Sequence, residues 1–112
     1  MTTTPPPLGP KTLHVTNPAR ADIDEALDYL AREASVRVAL DFADEIGRSL
    51  ANLADLGHSG VSREWLSPGL RMTTVGRYCV YFRLTHTETR IIRVLHGARD
   101  VSQVIFDDKT GR

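Results

Sequence analysis

Apolar and polar positions recur along this chain with two different periods, and the change of period separates helical from strand-forming parts. Thr12-Leu13-His14-Val15-Thr16 alternates over a short run and predicts a first strand. Ile23, Ala26, Leu27, Leu30, Ala31 and Ala34 then follow helical spacing, after Asn17 as a capping side chain and Pro18 at the first helical position. Asp22, Asp24 and Glu25 stand near that start, where the helix dipole favours acids. Ser35 is placed to cap a second helix. Its apolar stripe reads Val36, Ala39, Leu40, Ala43, Ile46, Gly47, Leu50, Leu53 and Ala54, with Gly57 as the stop. Arg37 with Asp41, and Asp44 with Arg48, are four apart on the outer surface. Almost nothing joins the two helices, so they should form an antiparallel hairpin.

Residues 57–69 carry three glycines, a proline and three serines and read as loop, with Trp65 and Leu66 folding back as a lid. Leu70 to Val75, Gly76-Arg77, and Tyr78 to Leu84 read as a β-hairpin whose turn starts with glycine. His86 to Thr89 turns the chain again, into Ile91-Ile92-Arg93-Val94-Leu95-His96-Gly97-Ala98-Arg99-Asp100. That stretch predicts a central, buried strand that ends at Gly97 and presents Arg99 and Asp100 at its exit. Asp100 and Gln103 have capping-box spacing and predict a short terminal helix through Phe106. Met1 to Pro10, with four prolines and three threonines, reads as an extended leader. The expected organisation is a flexible leader over 1–11 and one domain over 12–112. The expected class is α+β: an N-terminal strand and a helical hairpin packed on a curved, mainly antiparallel sheet, with a short C-terminal helix.

Pleating sends alternate side chains to opposite faces of a sheet. If Leu70, Met72, Val80, Phe82, Ile92 and Val94 face the helices, the other face carries Arg71, Thr73, Cys79, Tyr81, Arg83, Ile91, Arg93 and Leu95. Such a mixture of arginine with apolar and aromatic groups suits a partner that is acidic and partly apolar. A plainly solvated face with scattered arginines is the alternative.

The chain has 112 residues, with 14 basic and 14 acidic side chains and no net charge. The balance conceals an asymmetry. Residues 1–59 hold five basic and nine acidic side chains, and residues 60–112 hold nine basic and five acidic. Cys79 is the only cysteine, so no internal disulfide can form, and a reducing, cytoplasmic setting fits. No apolar run approaches the ~20 residues of a membrane span, so no membrane contact is expected. His14, His58, His86 and His96 have no metal-ligand spacing, and neither a metal nor a cofactor is expected. There is no phosphate-binding glycine loop. Cys79 and His96 on adjacent strands are open to a nucleophile–base pairing, set against a cysteine that merely fills space. His96 and Arg99 at the strand end are open to acid–base or phosphate work, set against a local Arg99–Asp100 pair.

Four stretches resemble the ParE/RelE superfamily of toxins from type II toxin–antitoxin modules. They are the helical hairpin; Arg63-Glu64-Trp65-Leu66-Ser67-Pro68-Gly69-Leu70-Arg71; Tyr78-Cys79-Val80-Tyr81-Phe82-Arg83; and Arg93-Val94-Leu95-His96-Gly97-Ala98-Arg99-Asp100. The resemblance covers roughly residues 12–106 and is nearer the ParE branch. It implies a cytoplasmic toxin neutralised by a cognate, ParD-like antitoxin whose C-terminal segment wraps it. ParE-like toxins act on DNA gyrase, whereas RelE-like toxins cut messenger RNA on the ribosome. Arg99 matches the RelE-type arginine. Ile105 stands where that pattern has an aromatic residue, Tyr78 replaces an arginine, and the lysines are missing. An uncharged protein also suits a protein target better than RNA, and no sequence-specific nucleic-acid binding is expected. The expectation is therefore a gyrase-binding toxin that is not an enzyme, with no catalytic residues. Arg71, Tyr81, Arg83 and Arg93 would meet the antitoxin, and His96, Arg99 and Asp100 the target. The alternatives are a ribosome-dependent endoribonuclease and a degenerate toxin kept as an antitoxin-binding module.

Overall fold

The element order is β1 (Thr12–Val15), α1 (Asn17–Glu33), α2 (Val36–Leu56), β2 (Val61–Ser62), β3 (Arg71–Val75), β4 (Tyr78–Leu84) and β5 (Glu88–His96). The structure, a computed structural model, describes residues 11–56 and 60–107. The expected leader, apart from Lys11, and the expected stop at Gly57 lie outside the described residues, as does His58. The strands form one sheet in the order β1-β5-β4-β3-β2. β1 runs parallel to β5, and the other pairings are antiparallel. No helix among the described residues is long and apolar enough to cross a membrane.

Thr16 turns the first strand into the first helix. Its amide still donates to Ile91 O of β5 at 3.1 Å. Its buried hydroxyl accepts from Ala19 N at 3.3 Å and donates to Ile91 O at 2.9 Å. Thr16 is therefore the cap, one residue before the expected Asn17, because a single residue ends the ladder and starts the helix. Ser35 caps α2 as expected, its Oγ accepting from Val38 N at 3.0 Å.

The helices cover one face of the sheet. Ala19, Ala26, Phe42, Ile46, Leu50 and Leu53 pack there against Val75, Tyr78, Val80, Phe82, Ile91 and Val94. Each fully buried aliphatic or phenylalanine side chain contributes roughly 1.5–3 kcal/mol of transfer free energy. Ala39, Ile46, Leu50, Leu53 and Ala54 of the expected α2 stripe point in, but its N-terminal part departs from expectation. Phe42 points in, and Leu40, expected in the core, is 59% exposed.

The faces taken by β3 and β5 residues differ from the expected ones. Gly76-Arg77 is a two-residue turn with Gly76 at φ 58°, and it pairs Val75 with Tyr78. Odd residues of β3 therefore share a face with even residues of β4. Met72 lies beside Tyr81, so Leu70 and Met72 pack on the face away from the helices. β5 carries a bulge: Tyr81 faces Arg93, but Phe82 faces Ile91. The extra residue exchanges the expected places of the isoleucines, with Ile91 under the helices and Ile92 on the other face.

That second face is not open. Leu70, Tyr81, Ile92, Leu95 and Phe106 are buried on it, with Leu66, Met72, Cys79, Val101 and Val104 around them. The expected terminal helix is absent among the described residues. Asp100 Oδ1 accepts from Ser102 N at 2.9 Å, which turns the chain instead of capping a helix with Gln103. The strap then lays Phe106 on Tyr81, with ring centroids 4.8 Å apart. The expected loop at 57–69 contains β2, which adds an edge strand beside β3. Within it Leu66 packs on the second face, but Trp65, expected to fold back, is 76% exposed.

Candidate functional site

The exit of β5 and the flank of α1 enclose a cleft of about 350 Å³. From α1 come Asp22, Glu25, Ala26 and Tyr29, which recur at helical spacing on one flank of that helix. β4 supplies Tyr78, β5 supplies Val94, Leu95 and His96, and Arg99 follows from the turn beyond. Two of the three residues expected at the target surface, His96 and Arg99, thus meet in one concavity. Asp100 faces Ser102 instead, whose backbone and side chain hold its carboxyl below the usual range.

The cleft exists because β1 leaves the sheet at Thr16, which uncovers the outer edge of β5 beyond Ile91. Asp22 closes that edge. Its Oδ2 accepts from Val94 N at 2.9 Å and Arg93 Nε at 2.7 Å, and its Oδ1 from Arg93 Nη2 at 2.9 Å. These bonds raise the Arg93 pKa above the usual value, against the opposing effect of burial. Arg93 is therefore part of the framework rather than a residue of an open face.

Aromatic rings build the wall above. Phe42 and Tyr78 lie 4.9 Å apart between centroids, and the His96 ring meets Tyr78 edge-on at 5.3 Å. Burial raises the Tyr78 pKa, and the neighbouring Tyr29 and Glu25 raise it further. His96 Nδ1 accepts from Ala98 N at 3.1 Å, so the neutral ring carries its proton on Nε2 as a donor. Cys79 packs on the second face, so it cannot serve His96 as a nucleophile. No group of three or more potential metal ligands stands together among the described residues.

The four residues expected at an antitoxin surface are all engaged within this chain. Tyr81 is buried under the strap, and burial raises its pKa. Arg71 donates to Gly60 O at 3.0 Å beside β2. Arg83 ties two segments together, donating from Nε to Pro68 O and from Nη1 to Phe106 O, both at 2.9 Å, and from Nη2 to Ser67 Oγ. Sequence reading missed Asp22, Glu25, Tyr29 and Tyr78 as a set. Their signal was available for α1, since residues 22, 25, 26 and 29 share one helical flank.

A family model described as the ParE toxin of the type II toxin–antitoxin system parDE matches residues 13–101. Toxin ParE1 of Caulobacter vibrioides is 30% identical over 86 residues, spanning 77% of this chain and 88% of that protein. A chromosomal ParDE toxin–antitoxin system from P. aeruginosa superposes with a TM-score of 0.67 at 25% identity, over 77% of this chain and 95% of that one. The toxin–antitoxin complex RelBE2 from Mycobacterium tuberculosis shares the fold, with a TM-score of 0.55 at 22% identity over 83% and 98% of the chains.

Proposed function

This chain belongs to the ParE toxin family of type II toxin–antitoxin systems, and on that footing we propose that it inhibits DNA gyrase by binding and is neutralised by a cognate antitoxin. The observation that carries this reading is the state of the sheet's second face. An RNA-cutting surface needs cations and proton-transfer groups free to meet a phosphate. Here Arg83 is committed to three contacts, Arg93 to Asp22, and the face itself to Phe106, Tyr81 and Leu95. Ile105, at the position of the expected aromatic, is exposed and has no proton to give.

Binding without chemistry needs a presented surface, and His96 and Arg99 form one at the exit of β5. The antitoxin fits the same side of the molecule. Tyr29 of α1 and Val36, Val38 and Leu40 of α2 are exposed around the tip of the helical hairpin. Unsatisfied apolar surface of this kind is what a partner segment covers. An antitoxin seated over the hairpin and the cleft would mask His96 and Arg99. Two assays run side by side test the proposal: DNA supercoiling by gyrase, and cleavage of messenger RNA on translating ribosomes. The expected result is inhibited gyrase, intact RNA, and loss of inhibition in Arg99→Ala. RNA cut with gyrase unaffected would overturn it.

A further inference from the structure

We infer that the cleft is a guanidinium site, which receives an arginine of the antitoxin's bound segment; this rests on the reading that an antitoxin engages the chain. Tyr29 offers a half-exposed phenol ring, the largely buried Tyr78 adds an aromatic margin, and the Glu25 carboxylate lines the same cleft. Glu25 lines the cleft and is exposed, so its carboxylate is open to a ligand. A carboxylate beside aromatic faces recognises a planar cation, because ion pairing and ring attraction act on it together. Asp22 does not compete, since both its oxygens are engaged by Arg93 and Val94.

The remaining surfaces fit the same occupant. The floor, Ala26 and Val94, suits the methylene stem that an arginine buries behind its charged head. An anionic ligand would meet Glu25 and the electron-rich ring faces. The opposite lip has the reverse character, with the Arg99 cation and the His96 Nε2–H. The recognised segment therefore carries an acidic residue close to its arginine, so that one charge meets each lip.

A small probe separates the site from the partner. N-acetyl-arginine-N-methylamide, titrated into the full chain, should shift the amide resonances of Ala26, Val94 and Leu95. The uncharged citrulline analogue should bind about tenfold more weakly or not at all, and Glu25→Gln should abolish the arginine effect. Glu25 is exposed and the change is isosteric, so an unaltered melting curve is expected; Tyr29→Leu, which removes the half-exposed ring, is the second variant and should weaken the probe too. The antitoxin should displace the probe and should lose at least about tenfold in affinity for Glu25→Gln. Equal binding of arginine and citrulline, or shifts confined to other amides, would overturn the site. An antitoxin that binds parent and Glu25→Gln alike, leaving the probe in place, would overturn its occupant but leave the toxin–antitoxin reading intact. An antitoxin that does not bind the parent chain at all would defeat both.

Discussion

The two faces of the sheet are built by different means. Under the helices, Phe42, Ile46, Leu50 and Leu53 meet Val80, Phe82, Ile91 and Val94, and the packing elements are regular helices. On the other face the cover is two irregular segments, 63–70 and 101–106, tied by the donors of Arg83. The first cover is cooperative, because a helix of 21 residues cannot lift one side chain at a time. The second is local, and its turns are expected to open independently of the ladder beneath.

The largest expected effect sits on the helix face. Phe82 is fully buried, and Phe82→Ala should destabilise by roughly 3–5 kcal/mol, much of the total stability of a domain this size. Phe106→Ala should cost less than half as much, because the strap can settle into the space it leaves. Chemical denaturation of both variants checks this, and equal losses would break the distinction between the faces.

Asp22→Asn comes next. It removes the charge that satisfies Arg93 and weakens the acceptor for Val94 N. The Arg93 side chain keeps 18% exposure, so water partly compensates. The expected cost is roughly 2–3 kcal/mol, below that of a wholly buried pair. Melting should move down and the Val94 amide should exchange faster; a protected Val94 amide would show that the carboxylate does not close the edge of β5.

Arg83→Ala should cost roughly 1–2 kcal/mol, since three neutral acceptors lose a charged donor but lie near solvent. Its signature is spatial. Hydrogen exchange should quicken over 66–70 and 104–106 while β4 and β5 stay protected. Uniform loosening would mean that the faces form one cooperative unit after all.

Regular elements were legible in the sequence, and irregular ones were not. Ser35 and the Gly76-Arg77 turn announce themselves through local chemistry, and both helices and the hairpin stand where that chemistry puts them. The parity across the turn was also available, since a two-residue turn dictates that Met72 sits beside Tyr81. The bulge was not available. Ile91 and Ile92 are chemically identical neighbours, and only the pairing with β4 decides which one lies under the helices. The strap misled for a related reason, because Asp100 had two amides within reach and took the nearer, at Ser102. In the cleft, His96 and Arg99 were visible as an exposed strand end. Asp22 was visible only as a helix-start acid, because its partner Arg93 is distant in sequence and meets it only once β5 pairs beyond β1.

Leu40 gives the smallest effect and the sharpest contrast within one helix. Two apolar stripes can be drawn along α2, and they share Leu50. One passes through Val36, Leu40 and Ala43, the other through Ala39, Phe42 and Ile46. Spacing alone does not choose between them. Phe42 does, because a phenylalanine has more area to bury than a leucine and finds Tyr78 waiting. Leu40 is left more than half exposed, so Leu40→Ala should change stability by no more than about 0.5 kcal/mol. Leu50→Ala, on the same helix but buried, should lose roughly 2–5 kcal/mol. Binding should reverse the order if the hairpin tip carries a partner. Leu40→Ala would then weaken the antitoxin complex while leaving the free protein as stable as the parent. Denaturation and titration calorimetry on the two variants would show it. A Leu40 variant that melts early would return this residue to the core and move the docking surface elsewhere.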